Sequence, residues 1–188
     1  SLRRRGTRHW PEASRVAPVA TLRVAPVRHE GNHRPEPLAW EAFALRMGQE
    51  HRVKVELAEP TDPAGLDAEA WPVAVMTGTG TFSFTPEQRK ALRAYLKAGG
   101  TLIADAGGGD EVFAEAFSRE MDRVLPQAKD GLLYKTHPVF TRAGPRIDEV
   151  AYRRALQASH GRRRSPRLTA WLQGNRAMVI FSPADLTA

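Results

Sequence analysis

With 188 residues and a net charge of +7, the chain is sized for one domain and is long enough to bury a real core. It has no cysteine, which removes disulfides, thiolate metal sites and a thiol nucleophile together. No run of roughly 18 apolar residues is present, so no membrane span is expected, and no signal peptide is visible behind Ser1-Leu2-Arg3-Arg4-Arg5. The positive charge invites a nucleic-acid reading, but its distribution argues against one. Arg3, Arg4, Arg5, Arg8, Arg15, Arg162, Arg163, Arg164 and Arg167 lie in two stretches without apolar periodicity, and without these nine the remainder carries −2. No pattern of aromatics alternating with these arginines suggests base stacking. The stretches read as solvated segments or contacts to another domain. Accessory nucleic-acid binding through them stays as an alternative.

Residues 1 to 19 mix Arg, Pro, Gly and Ser without a period and read as a basic linker or tail, leaving 20–188 as the folded domain. Leu22 to Val27 is the first strand candidate, with Pro26 marking its end or a bulge. His29 to Pro35 is a polar loop. Pro37 to Met47 has a helical apolar pattern, with Gly48 as its expected stop. Val53, Val55 and Leu57 alternate as a second strand, and Leu66 to Trp71 reads as a connector.

The most informative stretch is 72 to 113. Pro72-Val73-Ala74-Val75-Met76 is a short apolar run that fits a strand buried on both faces. Thr85, Pro86 and Gln88 form a helix start with a capping box. Ala91, Leu92, Tyr95 and Leu96 share one helical face, and Gly99-Gly100 ends the helix. Thr101 to Ala104 is the next strand, and Gly107-Gly108-Gly109 leaves it. A helical crossover between two such strands makes them parallel.

Val112, Phe113, Ala116, Phe117, Met121, Val124 and Leu125 then mark a helix closed by Pro126. Leu132-Leu133-Tyr134 is a short strand candidate, 137–140 a turn and 147–158 a weakly patterned helix. Residues 168–172 and 176–181 form a β-hairpin about Gly174-Asn175.

Ligands of open α/β sheets sit beyond the carboxyl ends of the strands. That directs attention to Gly78, Thr79 and Gly80, to Asp105, Ala106, Gly107 and Gly108, and to Ser182 and Asp185. Both glycine loops precede helices and can present N–H groups to an anion, yet neither matches a phosphate-loop fingerprint. Tight turns alone account for them as simply. Asp105 can act as a general base or metal ligand, or cap its own loop. His29-x-x-x-His33 has a metal-like spacing but no helix to align the pair, so no metal site is assigned.

The runs VMTGTGTFSF at 75–84, LRAYLKAGGTLIADAGGG at 92–109 and FSPADL at 181–186 resemble the class I glutamine amidotransferase-like superfamily. More closely, they resemble a bacterial family known as domain of unknown function 4159. The resemblance runs from about Leu22 to the C-terminus. It implies a three-layer, flavodoxin-like α/β fold: a mainly parallel sheet, helices on both faces and a C-terminal β-hairpin. It also favours a cell-envelope or periplasmic setting within a larger bacterial protein.

A working member of that superfamily carries Cys in a G-x-C-x-G turn and His and Glu in F-H-P-E. Here Ala106 stands at the nucleophile position, Ser182 replaces the His, Ala184 replaces the Glu, and Asp185 comes one residue late. The resemblance therefore implies no catalytic triad, no glutaminase activity and no cofactor. It leaves a non-catalytic domain for a small ligand or protein partner. The alternative is a hydrolase with a relocated site at Asp105, Ser182 and Asp185.

Overall fold

A computed structural model of the chain describes residues 16–141, 147, 149–150 and 167–184. The elements, in order, are β1 (Ala20–Pro26), α1 (Ala39–His51), β2 (Val53–Leu57), β3 (Val73–Gly78), α2 (Pro86–Lys97), β4 (Thr101–Ala106), α3 (Glu111–Val124), β5 (Lys129–Leu132), the short α4 (Pro138–Thr141), β6 (Thr169–Gln173) and β7 (Arg176–Ser182). The seven strands form one sheet in the order β2-β1-β3-β4-β7-β6-β5. The first five in that order are parallel; β6 and β5 are added antiparallel. The expected parallel sheet of the first four strands is present. The expected hairpin joins it as well, because β7 pairs with β4.

The middle strands are buried from both sides: Ala74, Val75 and Met76 are at most 2% exposed. Residues paired across parallel strands point to the same face. Ala74, Leu102 and Val179 therefore share the face covered by α2 and α3. Val75, Ile103 and Ile180 share the other. On the first face Phe117 stacks on Phe181 at 4.6 Å between ring centroids and meets Trp171 edge-on at 5.9 Å. Helix α2 starts as its sequence predicts: Thr85 Oγ1 accepts from the Gln88 N–H, and the Gln88 side chain accepts from the Thr85 N–H. Its last turn is covered by the hairpin, where the Arg176 guanidinium donates to the carbonyls of Leu96 and Gly100. Gly100 has to be glycine, since a Cβ there would fall 2.3 Å from the Tyr95 ring.

Several boundaries differ from the sequence expectations. Gly48 does not stop α1. Glycine weakens a helix by about 1 kcal/mol relative to alanine without forbidding it. The chain turns instead at Arg52, which is left-handed at φ 56° and hands directly to β2. Pro26 remains inside β1 because its neighbour bulges there. Ala58 donates to Val24 O, but the next donor to β1 is Thr61, to Pro26 O, so the chain between them swings clear of the ring. Val112 is 55% exposed and lies off the α3 stripe. The strand expected at 132–134 sits at 129–132, and the turn expected at 137–140 contains the single helical turn α4. The helix expected at 147–158 falls almost wholly outside the described residues, as do Asp185 and every arginine of the two basic stretches except Arg167.

Candidate functional site

Three polar side chains line up at the carboxyl ends of adjacent parallel strands. Thr77 of β3 pairs with Asp105 of β4, and Asp105 pairs with Ser182 of β7. All three project to the face opposite α2 and α3. The Thr77 hydroxyl donates to Asp105 Oδ1 at 2.7 Å, and Asp105 and Ser182 are each 3% exposed. Ser182 Oγ accepts from the Ala184 N–H at 3.3 Å, a local turn that holds the hydroxyl. The fold thus brings Asp105 and Ser182 together.

One residue further on, the chain faces the other way. Gly78 pairs with Ala106, and both point into the α2/α3 layer. Ala106 is fully buried, with ordinary extended geometry at φ −81° and ψ 111°. A strained nucleophile turn is therefore not located at Ala106. The left-handed residues of that turn are Gly108 at φ 63° and Gly109 at φ 77°. Gly78 is glycine for packing, because a Cβ would come within 2.3 Å of the Phe113 ring. Gly107 is close-packed in the same sense, with Pro35 2.8 Å from the position of a Cβ.

The glycine loop after β3 uses its donors internally. The Thr79 N–H donates to Asn32 O at 3.2 Å, and Asn32 Nδ2 donates to Thr79 Oγ1 at 2.9 Å. The Gly80 N–H donates to Asp110 Oδ1 at 3.3 Å. The same oxygen accepts the Phe113 N–H at 2.7 Å and so caps α3. The loop is laced to α3 and to the loop after β1, rather than held open for an anion.

His29 is the post of that lacing. It is 5% exposed and packs against Phe82 at 4.8 Å and Phe113 at 5.6 Å. Nδ1 accepts from the Gly31 N–H at 3.1 Å, so Nε2 carries the proton and donates to Thr77 O at 3.3 Å. Burial pulls its pKa down to about 4; the bond to Thr77 opposes that shift, and His33 adds to it. With both nitrogens engaged, His29 is no metal ligand, and no group of three His, Cys, Asp or Glu suited to a metal occurs among the described residues.

A second buried polar element was not singled out from the sequence. Glu120 on α3 is 2% exposed. It accepts two bonds from the Arg89 fork on α2, at 2.8 and 3.1 Å, one from Arg123 at 2.8 Å and one from the Phe84 N–H at 3.3 Å. Burial penalises the carboxylate, but these donors outweigh it and hold its pKa below the usual range. The available signal was its register: Glu120 lies seven residues after Phe113 and three after Phe117, on the apolar stripe.

The chain leaves β1 toward β2 and leaves β3 toward β4 in opposite directions, so the strand order reverses between β1 and β3. At this switch point a crevice of about 260 Å³ opens between the ends of β1, β2 and β3 and the start of α1. Its walls include His33, Arg34, Trp40, Glu41, Glu59 and Thr77. Pro35, also on its wall, packs against Gly107, and Thr77 donates to Asp105, so the crevice adjoins the glycine-loop edge.

Fold and site together define an α/β domain with a mostly parallel sheet and polar groups gathered at its carboxyl edge. The family model described as "Domain of unknown function (DUF4159)" matches residues 23–188, and the chain belongs to that family. No curated protein matches it.

Proposed function

We propose that this is a non-catalytic, amidotransferase-like domain that binds a small ligand or a protein partner at the carboxyl ends of its parallel strands. The observation that carries the reading is that the groups best placed for chemistry are committed to one another. Thr77 holds Asp105, Ala184 holds Ser182, Asp110 and Asn32 hold the glycine loop, and both nitrogens of His29 are used. The thiol chemistry of a glutaminase needs a nucleophile with a base in reach. The chain has no thiol, and the residue aligned with one is sealed in an apolar layer. The amidotransferase-like part rests on the parallel order β2-β1-β3-β4-β7, a doubly wound arrangement, and on the glycine turns after β3 and β4.

Ammonia release from glutamine tests the reading, measured for the wild type and for Ala106→Cys. Neither protein is expected to turn over. The substituted thiol would lack a base and would point away from Asp105 and Ser182. Turnover by the wild type that is lost in Asp105→Asn or Ser182→Ala would replace this reading with a relocated-site hydrolase. The side-by-side placement of those two residues is the one feature favouring that alternative.

A further inference from the structure

At the other end of the strands from the glycine loops, the domain carries a second opening. It is a groove of about 580 Å³ bounded by the last turns of α2 and α3, the start of β5 and the β6–β7 turn. We propose that it docks a short acidic segment of a partner protein, in which two carboxylates flank an aliphatic side chain. It shares no residue with the carboxyl-edge site.

Among the described residues, three cations line the groove and no carboxylate does: Arg93 and Lys97 on α2, and Lys129 at the start of β5. Lys97 and Lys129 are exposed, and none of the three takes part in an ion pair. Arg89, one turn earlier on α2, is by contrast matched by Glu120. Helix carboxyl ends ordinarily present unpaired carbonyls and the negative end of the dipole, which repel an anion. Here those carbonyls are answered from within the fold. Arg93 donates to Val124 O at 2.5 Å and to Arg123 O at 2.8 Å, and Arg176 donates to the carbonyls of Leu96 and Gly100. The charge left at the mouth is that of the unpaired cations, which is complementary to an acidic partner.

The floor is aliphatic, with Val124, Leu125 and Met178 buried beneath it and Pro126 exposed at the rim. No aromatic ring lines it for a base to stack on, which favours a peptide over a nucleic acid. At roughly 30 Å³ for each water-sized atom, about 580 Å³ holds about nineteen non-hydrogen atoms, a Glu-Leu pair and little more. A second carboxylate would then lie at the open rim, where the lysines are.

The test is an amide NMR titration of the 188-residue chain with a hexapeptide of alternating glutamate and leucine. Saturable shifts are expected at Lys97, Leu125 and Lys129, with Kd below about 1 mM at low salt. Raising the ionic strength to about 0.3 M should weaken binding roughly threefold. Lys97→Glu combined with Lys129→Glu should weaken it at least about tenfold. Arg28→Glu combined with Lys54→Glu makes the same change in net charge at exposed positions outside the groove. That control should stay within about twofold of the wild type. Equal losses in the two double variants, or shifts confined to the Thr77–Asp105–Ser182 edge, would overturn the proposal. So would equal binding of free glutamate, tighter binding of a single-stranded oligonucleotide of the same length, or no saturation by about 10 mM peptide. Ammonia release does not enter this test, so the two readings fail separately.

Discussion

The two faces of the sheet are built to different standards. On one, α2 and α3 bury Leu92, Tyr95, Leu96, Phe113, Phe117, Met121 and Val124 to 3% exposure or less. The Glu120 network also ties the two helices together there. On the other face, α1 runs thirteen residues without burying one completely, and Leu38 and Phe43 remain exposed. The first layer concentrates stability. Among the described residues the second is carried by α1 and by a separate, smaller cluster of Leu133, Phe140 and Ala170, and the crevice lies on its side with the largely buried Thr77–Asp105–Ser182 row. Local stability is uneven in most domains, and binding regions come from the less stable part. Here that division follows the plane of the sheet.

If that division is right, truncation in the α2/α3 layer should be far more damaging than truncation in α1. Phe117→Ala removes a ring that touches both Phe181 and Trp171, and should cost about 3–5 kcal/mol in denaturant unfolding. Leu45→Ala on the half-buried α1 should cost less than about 1.5 kcal/mol. Comparable losses at the two sites would erase the contrast. Glu120→Gln, which leaves Arg89 facing a neutral partner, should cost roughly 3 kcal/mol.

Acidity separates the two buried polar elements. His29 has a folded pKa near 4 against an ordinary 6.5, so it stays neutral in the fold while the unfolded chain takes up a proton. Stability should therefore fall as pH drops from 6.5 toward 4, by about 2 kcal/mol at pH 5. His29→Gln should flatten that slope. Glu120 acts lower: its depressed folded pKa gives stability that is present above the ordinary carboxylate range and is lost as pH falls through the folded value. A pH 7-to-5 loss that survives His29→Gln would show that another group carries it. The smallest effect is expected at Arg162, Arg163 and Arg164. Changing all three to Ser should move stability by less than about 0.5 kcal/mol. A steep salt-dependent affinity of the wild type for duplex DNA, flattened in that variant, would instead reveal phosphate contacts.

Elements whose signals are local could be read from the chain alone. The capping box at Thr85 and Gln88, the glycine exit at Gly99, the hairpin turn at Gly174 and the apolar runs of β3 and β4 depend on neighbours within a few residues. Where a local signal met a distant partner, the partner decided. Gly48 stayed helical because β2 fixed the reversal at Arg52, and Pro26 stayed in β1 because the chain beyond β2 bulges aside. Candidate residues at the carboxyl ends of strands were legible, because strands of a parallel sheet end on one side. Their grouping was not. A shift of one residue moves a side chain to the other face, and that alone puts Asp105 beside Thr77 and Ser182 while sending Ala106 into the core. The crevice was the least legible feature, since it exists only where the strand order reverses, and order belongs to the sheet rather than to any stretch of chain.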